Sequence, residues 1–384
     1  IWPDINADFL FAYNNLPDNQ TQKGRPTKWA AAAMLGKAYL FQHNYTEAKT
    51  YLEAVVGSMK YSLMPLYHDN FKAVTNNNAE SVFEVQYSVN DGAWGGENGN
   101  IGATLNYPYG GGGVTTCCGF YQPSQNLVNV FKTDANGLPL FDTFNDTDMT
   151  NDQGLATTAP FTPYTGTVDP RLDWTVGRRG IPFLDWGVHP GQSYVRDQAY
   201  GGPYSPKKHV MYRSDVGVNT FSGNPRLNAN NYRMIRYANV LLWLAEVEVE
   251  LGNLEDARLL VNEIRQRASN PAGFVKTSAG ADAANYLIGL YNTAWTDPVY
   301  ARKAVQYEQR LELAMEGHRF FDLVRWGIAA QTLNDYIAVE KNKRTYMAGK
   351  VFVAGKHEYY PIPLQEILNS QVDGAFTLTQ NPGY

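Results

Sequence analysis

Cysteine is almost absent from this 384-residue sequence, and the two cysteines that occur are neighbours, Cys117 and Cys118. Adjacent cysteines need further Cys or His ligands to hold zinc, and the six histidines show no ligand spacing. No structural metal site is therefore expected. Adjacent Cα atoms are about 3.8 Å apart, below the usual disulfide range, so a bridge here would be strained. The sequence leaves open a vicinal disulfide or two reduced, partly buried thiols.

Long apolar runs and charge of one sign are also missing. Without a run of 18 apolar residues, no transmembrane helix is predicted. The formal net charge of -5 comes without the basic stripe that nucleic-acid binding requires, so no nucleic-acid partner is expected. The sequence starts at Ile1 with neither an initiator Met nor a signal peptide, which favours a fragment or a processed form.

Catalytic motifs are scarce as well. Residues 110–113 are glycines, but the Lys-Ser/Thr that completes a phosphate loop does not follow them, and there is no G-x-S-x-G elbow. Asp146, Asp148 and Asp152 lack the glycine and the terminal glutamate of a calcium loop. We therefore predict no catalytic residue, no bound metal and no cofactor, and we expect a protein that is not an enzyme.

The longest charge-rich helical pattern occupies residues 298–327. Asp297 before Pro298 predicts a capped helix start, because proline is favoured at the first helical position. Gly317 predicts an interruption before a second, very apolar turn or two, which we expect to be buried.

Charged residues within this stretch recur at helical spacing. Glu312 and Glu316 lie one turn apart, and Arg319, Asp322 and Arg325 follow at intervals of three. An acid/base pair of a glycosidase would need one neutral carboxyl, whereas nearby arginines favour the charged form of both. The pattern therefore predicts a buried, structural network of ion pairs.

Two pairs of helices share a tetratricopeptide-like pattern. Residues 27–41 and 45–56 predict a helical hairpin that carries part of the L-G-x2-Y motif at residues 35–39. A second pair in the same register spans residues 244–257. Two hairpins are fewer than a free-standing solenoid needs, so we expect them to pack with other helices.

The character changes between residues 86 and 230, where 21 of the 34 glycines lie. Short β-like runs occur around this region, as at residues 81–87, but turns break the rest. Because the region is rich in aromatic residues, it is predicted to be ordered and functional rather than disordered.

Sugars offer apolar C–H faces and rings of hydroxyls, so a sugar site needs flat aromatic platforms beside polar groups. Trp94 and Trp186, each flanked by glycine and polar residues, are the leading candidates for such platforms. The full set of candidate ligand-binding residues is Trp94, Trp186, Tyr107, Tyr109, Tyr121, Cys117, Cys118 and Arg196.

Three ordered blocks carry a family resemblance. They are YEQRLELAMEGHRFFDLVRWG at residues 307–327, RYANVLLWLAEVEVELGNLEDARLLVNEIRQRA at residues 236–268, and YYPIPLQEI with the ending QNPGY at residues 359–367 and 380–384. Together they resemble the SusD/RagB family of surface glycan-binding lipoproteins. The resemblance covers nearly the whole chain and fixes none of the loop residues.

The resemblance implies a mainly α fold, in which a tetratricopeptide-like scaffold carries a long irregular region with short β-strands. We expect a helical part at residues 1–85, a ligand-binding region at 86–230 and a second helical part at 231–384, within one compact unit.

The function that the resemblance implies is capture of an oligosaccharide at the outer surface of the outer membrane, for import through a SusC-like TonB-dependent barrel. Family members attach through an N-terminal lipid that this chain does not include. Two alternatives remain open: a peptide-binding helical-repeat adaptor and a glycoside hydrolase.

Overall fold

The computed structural model describes residues 1–110 and 118–384. Helix accounts for 40% of the chain and strand for 9%, which confirms the predicted mainly α class. The chain divides into two units, Ile1–Glu316 and Gly317–Tyr384, and the boundary falls inside the predicted segment 231–384. Among the described residues, no helix combines the length and the apolar character needed to cross a bilayer.

Long helices flank a middle region of short elements. The first unit contains α1 (Trp2–Asn15), α2 (Lys28–Phe41), α3 (Tyr45–Gly57), α4 (Gln125–Asn129), α5 (Leu172–Thr175), α6 (Gln198–Gly201), α7 (Tyr237–Glu250), α8 (Leu254–Ala268) and α9 (Pro298–Glu312). The second contains α10 (Arg319–Arg325), α11 (Ala329–Glu340) and α12 (Leu364–Asn369). The predicted helices of both hairpins are present with bounds close to those expected.

The strands form small two-stranded antiparallel sheets. They are β1 (Ser81–Val85) with β6 (Tyr232–Arg236), β2 (Val176–Gly177) with β3 (Ser205–Pro206), β4 (Thr220–Phe221) with β5 (Asn224–Asn228), and β7 (Gln371–Val372) with β8 (Ala375–Phe376). The first of these pairs Ser81 with Arg236, immediately before α7 begins. It therefore joins the two ends of the loop-rich region to the helical body.

The two helical hairpins close on small residues. Thr27 caps α2 by accepting a hydrogen bond from the Ala30 amide. A Cβ at Gly36 would lie 2.8 Å from Leu52 Cγ, so the absence of a side chain permits the close approach of α2 and α3. Gly252 adopts φ +84° and makes the turn between α7 and α8. The apolar core is centred on α7, where every residue from Tyr237 to Val249 is buried.

Buried ion pairs surround α9, as the sequence predicted. Glu312 pairs with Arg236 at 2.6 Å and with Arg171 at 3.0 Å, and it also contacts Arg267. Glu308 lies 2.9 Å from Arg265. Burial alone would raise the pKa of Glu312, but the positive charges of Arg267, Arg236 and Arg171 outweigh burial and hold this pKa well below its usual range.

The source of the pairing arginines differs from the sequence expectation, which drew on neighbours one helical turn away. Within the first unit, the partners of Glu312 come from α8, from β6 and from the segment before α5. In the second unit, Arg325 pairs with Asp322 at 2.9 Å, as predicted, and Arg319 lies over the Trp326 ring at 5.5 Å.

The expectation that the whole apolar stretch after Gly317 is buried is wrong. Phe321 is 53% exposed and Trp326 is half-buried. The reason is geometric, because a short helix cannot bury apolar residues that lie on opposite faces.

Candidate functional site

Three segments of the loop-rich region meet around Arg196. Its guanidinium lies 4.4 Å from the centre of the Phe120 ring and 5.3 Å from the Tyr109 ring. Its Nη1 donates a hydrogen bond of 2.7 Å to the carbonyl oxygen of Cys118. Tyr109 and Phe120 are 43% and 47% exposed, so both rings remain accessible. We call Tyr109, Phe120 and Arg196 the ring cluster.

Backbone hydrogen bonds hold the ring cluster in place. The Phe120 amide donates to the Leu105 carbonyl at 3.1 Å, and the Tyr109 amide donates to the Tyr194 carbonyl at 3.2 Å. Gly119, at φ +65°, lies between the two side chains, where an added Cβ would be 2.7 Å from Tyr109 Cβ and 2.8 Å from Arg196 Cβ. No other residue fits there without displacing the rings.

Tyr107 is part of the core beneath this cluster, and its prediction as a displayed ring is wrong. The residue is fully buried, and its hydroxyl accepts a hydrogen bond of 2.7 Å from Asn228 Nδ2. Burial raises the pKa of the Tyr107 hydroxyl. Because every face of the ring is covered, Tyr107 supports the neighbouring strands of chain instead of contacting a ligand.

Trp94 is the most accessible of the predicted platforms, at 85% exposed. Its turn rests on the hairpin of β4 and β5, since a Cβ at Gly96 would lie 2.7 Å from Phe221 Cγ. Asp91 accepts hydrogen bonds from the Ala93 amide at 3.0 Å and from Asn98 Nδ2 at 2.9 Å. Hydrogen bonds to the carboxylate, first from Ser88 and then from Asn98, lower the pKa of Asp91 to about 2. Trp94 therefore projects from an ordered turn.

Trp186 offers less of its ring than the sequence suggested. It is half-buried, and its indole Nε1 donates a hydrogen bond of 3.0 Å to the Met211 carbonyl. The ring packs against an apolar cluster that includes Phe183 and Tyr194. Positive φ angles at Leu184 and Gly187 fold the intervening turn back onto this cluster, an effect that glycine content alone does not reveal.

The other predicted residues fall into place beside the ring cluster. Tyr121, next to Phe120, is 50% exposed and adopts φ +59°. Cys118 contributes its carbonyl oxygen to Arg196. Cys117 lies outside the described residues, and the state of the two thiols stays a prediction. Sequence reasoning missed Phe120, although its position between Gly119 and Tyr121 gave a signal.

Metal binding has no support from the described residues, where no three His, Cys, Asp or Glu side chains are placed to hold an ion. The arrangement around Arg196 instead offers two ring faces, a carbonyl oxygen and guanidinium N–H donors. Such a set can stack on an apolar face and donate hydrogen bonds to hydroxyls.

Comparison with known proteins agrees with the fold. The family model described as the SusD family matches residues 79–384. SusD-like protein P25 of Formosa agariphila is 26% identical over 353 residues, which cover 91% of this chain and 58% of that protein. The chain thus spans little more than half the length of this relative.

Solved structures give the same picture. A laminarin-binding SusD-like protein superposes with a TM-score of 0.61 at 26% identity, covering 100% of this chain and 68% of the other. A SusD superfamily protein from Bacteroides vulgatus gives a TM-score of 0.63 at 24% identity, covering 96% and 66%.

Proposed function

Since the chain belongs to the SusD family, we propose that it binds an oligosaccharide through the ring cluster of Tyr109, Phe120 and Arg196. The observation that carries the proposal is the contact of one exposed guanidinium with two exposed rings on a pinned loop. A sugar would stack its C–H face on a ring while its hydroxyls accept hydrogen bonds from Arg196.

The loop-rich region, residues 86–230, is the ligand-binding region in this proposal. Tyr121 and the Cys118 backbone flank the ring cluster, and Trp94 and Trp186 supply secondary contacts. The similarity to a laminarin-binding protein makes laminarin oligosaccharides the first ligands to test. The protein acts by binding and not by catalysis, so it releases no new reducing ends from the glycan.

Calorimetry with laminarin oligosaccharides tests the site. Tyr109→Ala, Phe120→Ala and Arg196→Ala should each weaken binding by roughly 30-fold, which corresponds to about 2 kcal/mol. Trp94→Ala should have a smaller effect. Phe11→Ala is the matched control, because Phe11 is a 70% exposed ring on α1, outside the loops. Unchanged affinity in all three cluster variants would contradict the assignment, and new reducing ends would contradict a purely binding role.

The wider setting follows from the family. We propose that the full-length protein is a lipid-anchored subunit at the outer surface of the outer membrane and delivers its glycan to a SusC-like TonB-dependent barrel. Purification from native outer membranes in mild detergent should recover a large β-barrel with it. Repeated recovery of the protein alone would count against the partnership while leaving the glycan site untouched.

A further inference from the structure

A polar cleft of about 290 Å³ lies in the first unit and shares no residue with the ring cluster. Its volume is near the lower end of the range for small-ligand sites. It is lined by Asp18, Asn19, Gln20, Lys23, Arg25, Thr27, Lys60, Tyr61, Asn77, Asn78, Ser81, Val82, Phe83 and Glu84. These residues come from the loop between α1 and α2, the end of α3, and the segment that leads into β1.

Both acids of the cleft are already engaged. Glu84 is buried, accepts hydrogen bonds from the Asn77 amide at 3.0 Å and from Asn231 Nδ2 at 2.9 Å, and lies 3.5 Å from Arg233 Nε. Asp18 lies 3.6 Å from Lys28 Nζ. Neither carboxylate is left to neutralise the cations of the cleft.

The cations, by contrast, have only neutral partners. Lys60 Nζ donates to Asn19 Oδ1 at 2.9 Å, and Arg25 Nε donates to Gln22 Oε1. Within the part of the chain that the structure describes, no acid pairs with Lys23, Arg25 or Lys60. Three positive charges thus line one concave surface without counter-charge, which favours an anion.

The loop that carries two of these cations is held against a fixed wall. Asn77 and Gln86 exchange side-chain hydrogen bonds of 2.9 and 3.0 Å, and Asn231 Nδ2 also donates to Gln86 at 3.0 Å. Gly24 lies against this wall, because an added Cβ there would be 2.9 Å from Gln86 Cγ. Lys23 and Arg25 flank Gly24, so the wall sets their position and lowers the entropy lost on binding.

We propose that this cleft binds an acidic saccharide residue, with its carboxylate or sulfate ester on the cations Lys23, Arg25 and Lys60. The side-chain amides of Asn19, Gln20 and Asn78 supply hydrogen-bonding groups for the sugar hydroxyls. The choice of a saccharide over another organic anion rests on the proposed function; the excess of positive charge does not.

Calorimetry with three size-matched oligosaccharides tests the cleft: a neutral glucan, a uronic-acid oligomer and a sulfated oligomer. At least one acidic ligand should bind the parent protein, and its affinity should fall as sodium chloride is raised. The double variant R25Q/K60Q should weaken that binding about tenfold or more, because it removes two charge-assisted contacts. The uronic-acid and sulfated arms identify which anion the cleft accepts.

The control is K276Q/K303Q, which removes the same charge from two exposed lysines that pair with Asp282 and Asp142 outside the cleft. Equal loss in the control, equal affinity in R25Q/K60Q, or no binding of either acidic ligand would overturn the proposal. Neutral-glucan binding that depends on the ring cluster would persist in each of these cases, so failure of the cleft is distinguishable from failure of the proposed function.

Discussion

Single charged residues have opposite roles in this protein according to their burial. Arg236 and Glu312 are at most 1% exposed, and their ion pair is part of the core. The cations Arg25 and Lys60 are exposed and lack acid partners among the described residues. Removing one partner of a buried pair leaves an uncompensated charge, whereas exposed charges contribute little to stability and remain available for binding.

Replacement of Arg236 by alanine should lower the free energy of unfolding by about 3–5 kcal/mol, because Glu312 and Glu316 lose a shared partner inside the protein. Lys303→Ala breaks the exposed pair with Asp142 and should cost at most about 1 kcal/mol. Chemical denaturation of both variants measures the difference. Equal, small losses would show that the network around α9 does not stabilise the fold.

His189 should make stability depend on pH. It is buried, its Nδ1 accepts from the Gly191 amide at 3.1 Å, and its Nε2 lies 2.8 Å from Ser205 Oγ. Burial, reinforced by the positive charges of Lys207 and Arg179, lowers the pKa of His189 to about 3. The unfolded state, with a pKa near 6.5, therefore binds the proton first as pH falls.

The stability supplied by neutral His189 should be complete above about pH 6.5 and decline as pH falls from there toward 3. The slope for one such group is about 1.4 kcal/mol per pH unit. Denaturation of the parent and of His189→Gln between pH 7 and pH 4 isolates this contribution, since other titrating groups are common to both. Identical slopes would exclude His189 as a source of acid sensitivity.

At the scale of elements, glycine position decides how the helical hairpins close. Gly36→Ala should destabilise the protein by about 1–3 kcal/mol, because the new Cβ would lie 2.8 Å from Leu52 Cγ between α2 and α3. Gly57→Ala is the matched control: nothing lies within 4 Å of the added Cβ, so the change should be neutral or slightly stabilising. A reversed order of melting temperatures would contradict this packing.

Elements set by local spacing could be predicted from the sequence, and elements set by distant partners could not. The start of α9 at Pro298 follows from the Asp297 cap, and the bounds of α2 and α3 follow from their apolar pattern. The partners of Glu312 lie 45 to 141 residues away, and spacing carries no signal for them. For the same reason Tyr107 and Trp186 could not be recognised as packed residues, because their cover comes from Asn228 and Met211.

At the scale of the whole molecule, stability and ligand binding are assigned to different residues. The core is centred on α7 and the ion pairs of α9, whereas the ring cluster lies on loops held by backbone hydrogen bonds. The sequence identified the loop-rich region and several of its rings, but which rings stay accessible depends on turns with positive φ, such as those at Gly119 and Leu184.

This division predicts that the two properties can be lost separately. A Tyr109→Ala/Arg196→Ala variant should lose most of its affinity for the glycan and melt within a few degrees of the parent, since both side chains are largely exposed. Gly36→Ala should melt earlier and keep full affinity at temperatures where it is folded. Calorimetry and thermal melts on the same samples measure both quantities. A ring-cluster variant that unfolds in parallel with its loss of binding would show that the loops also stabilise the core.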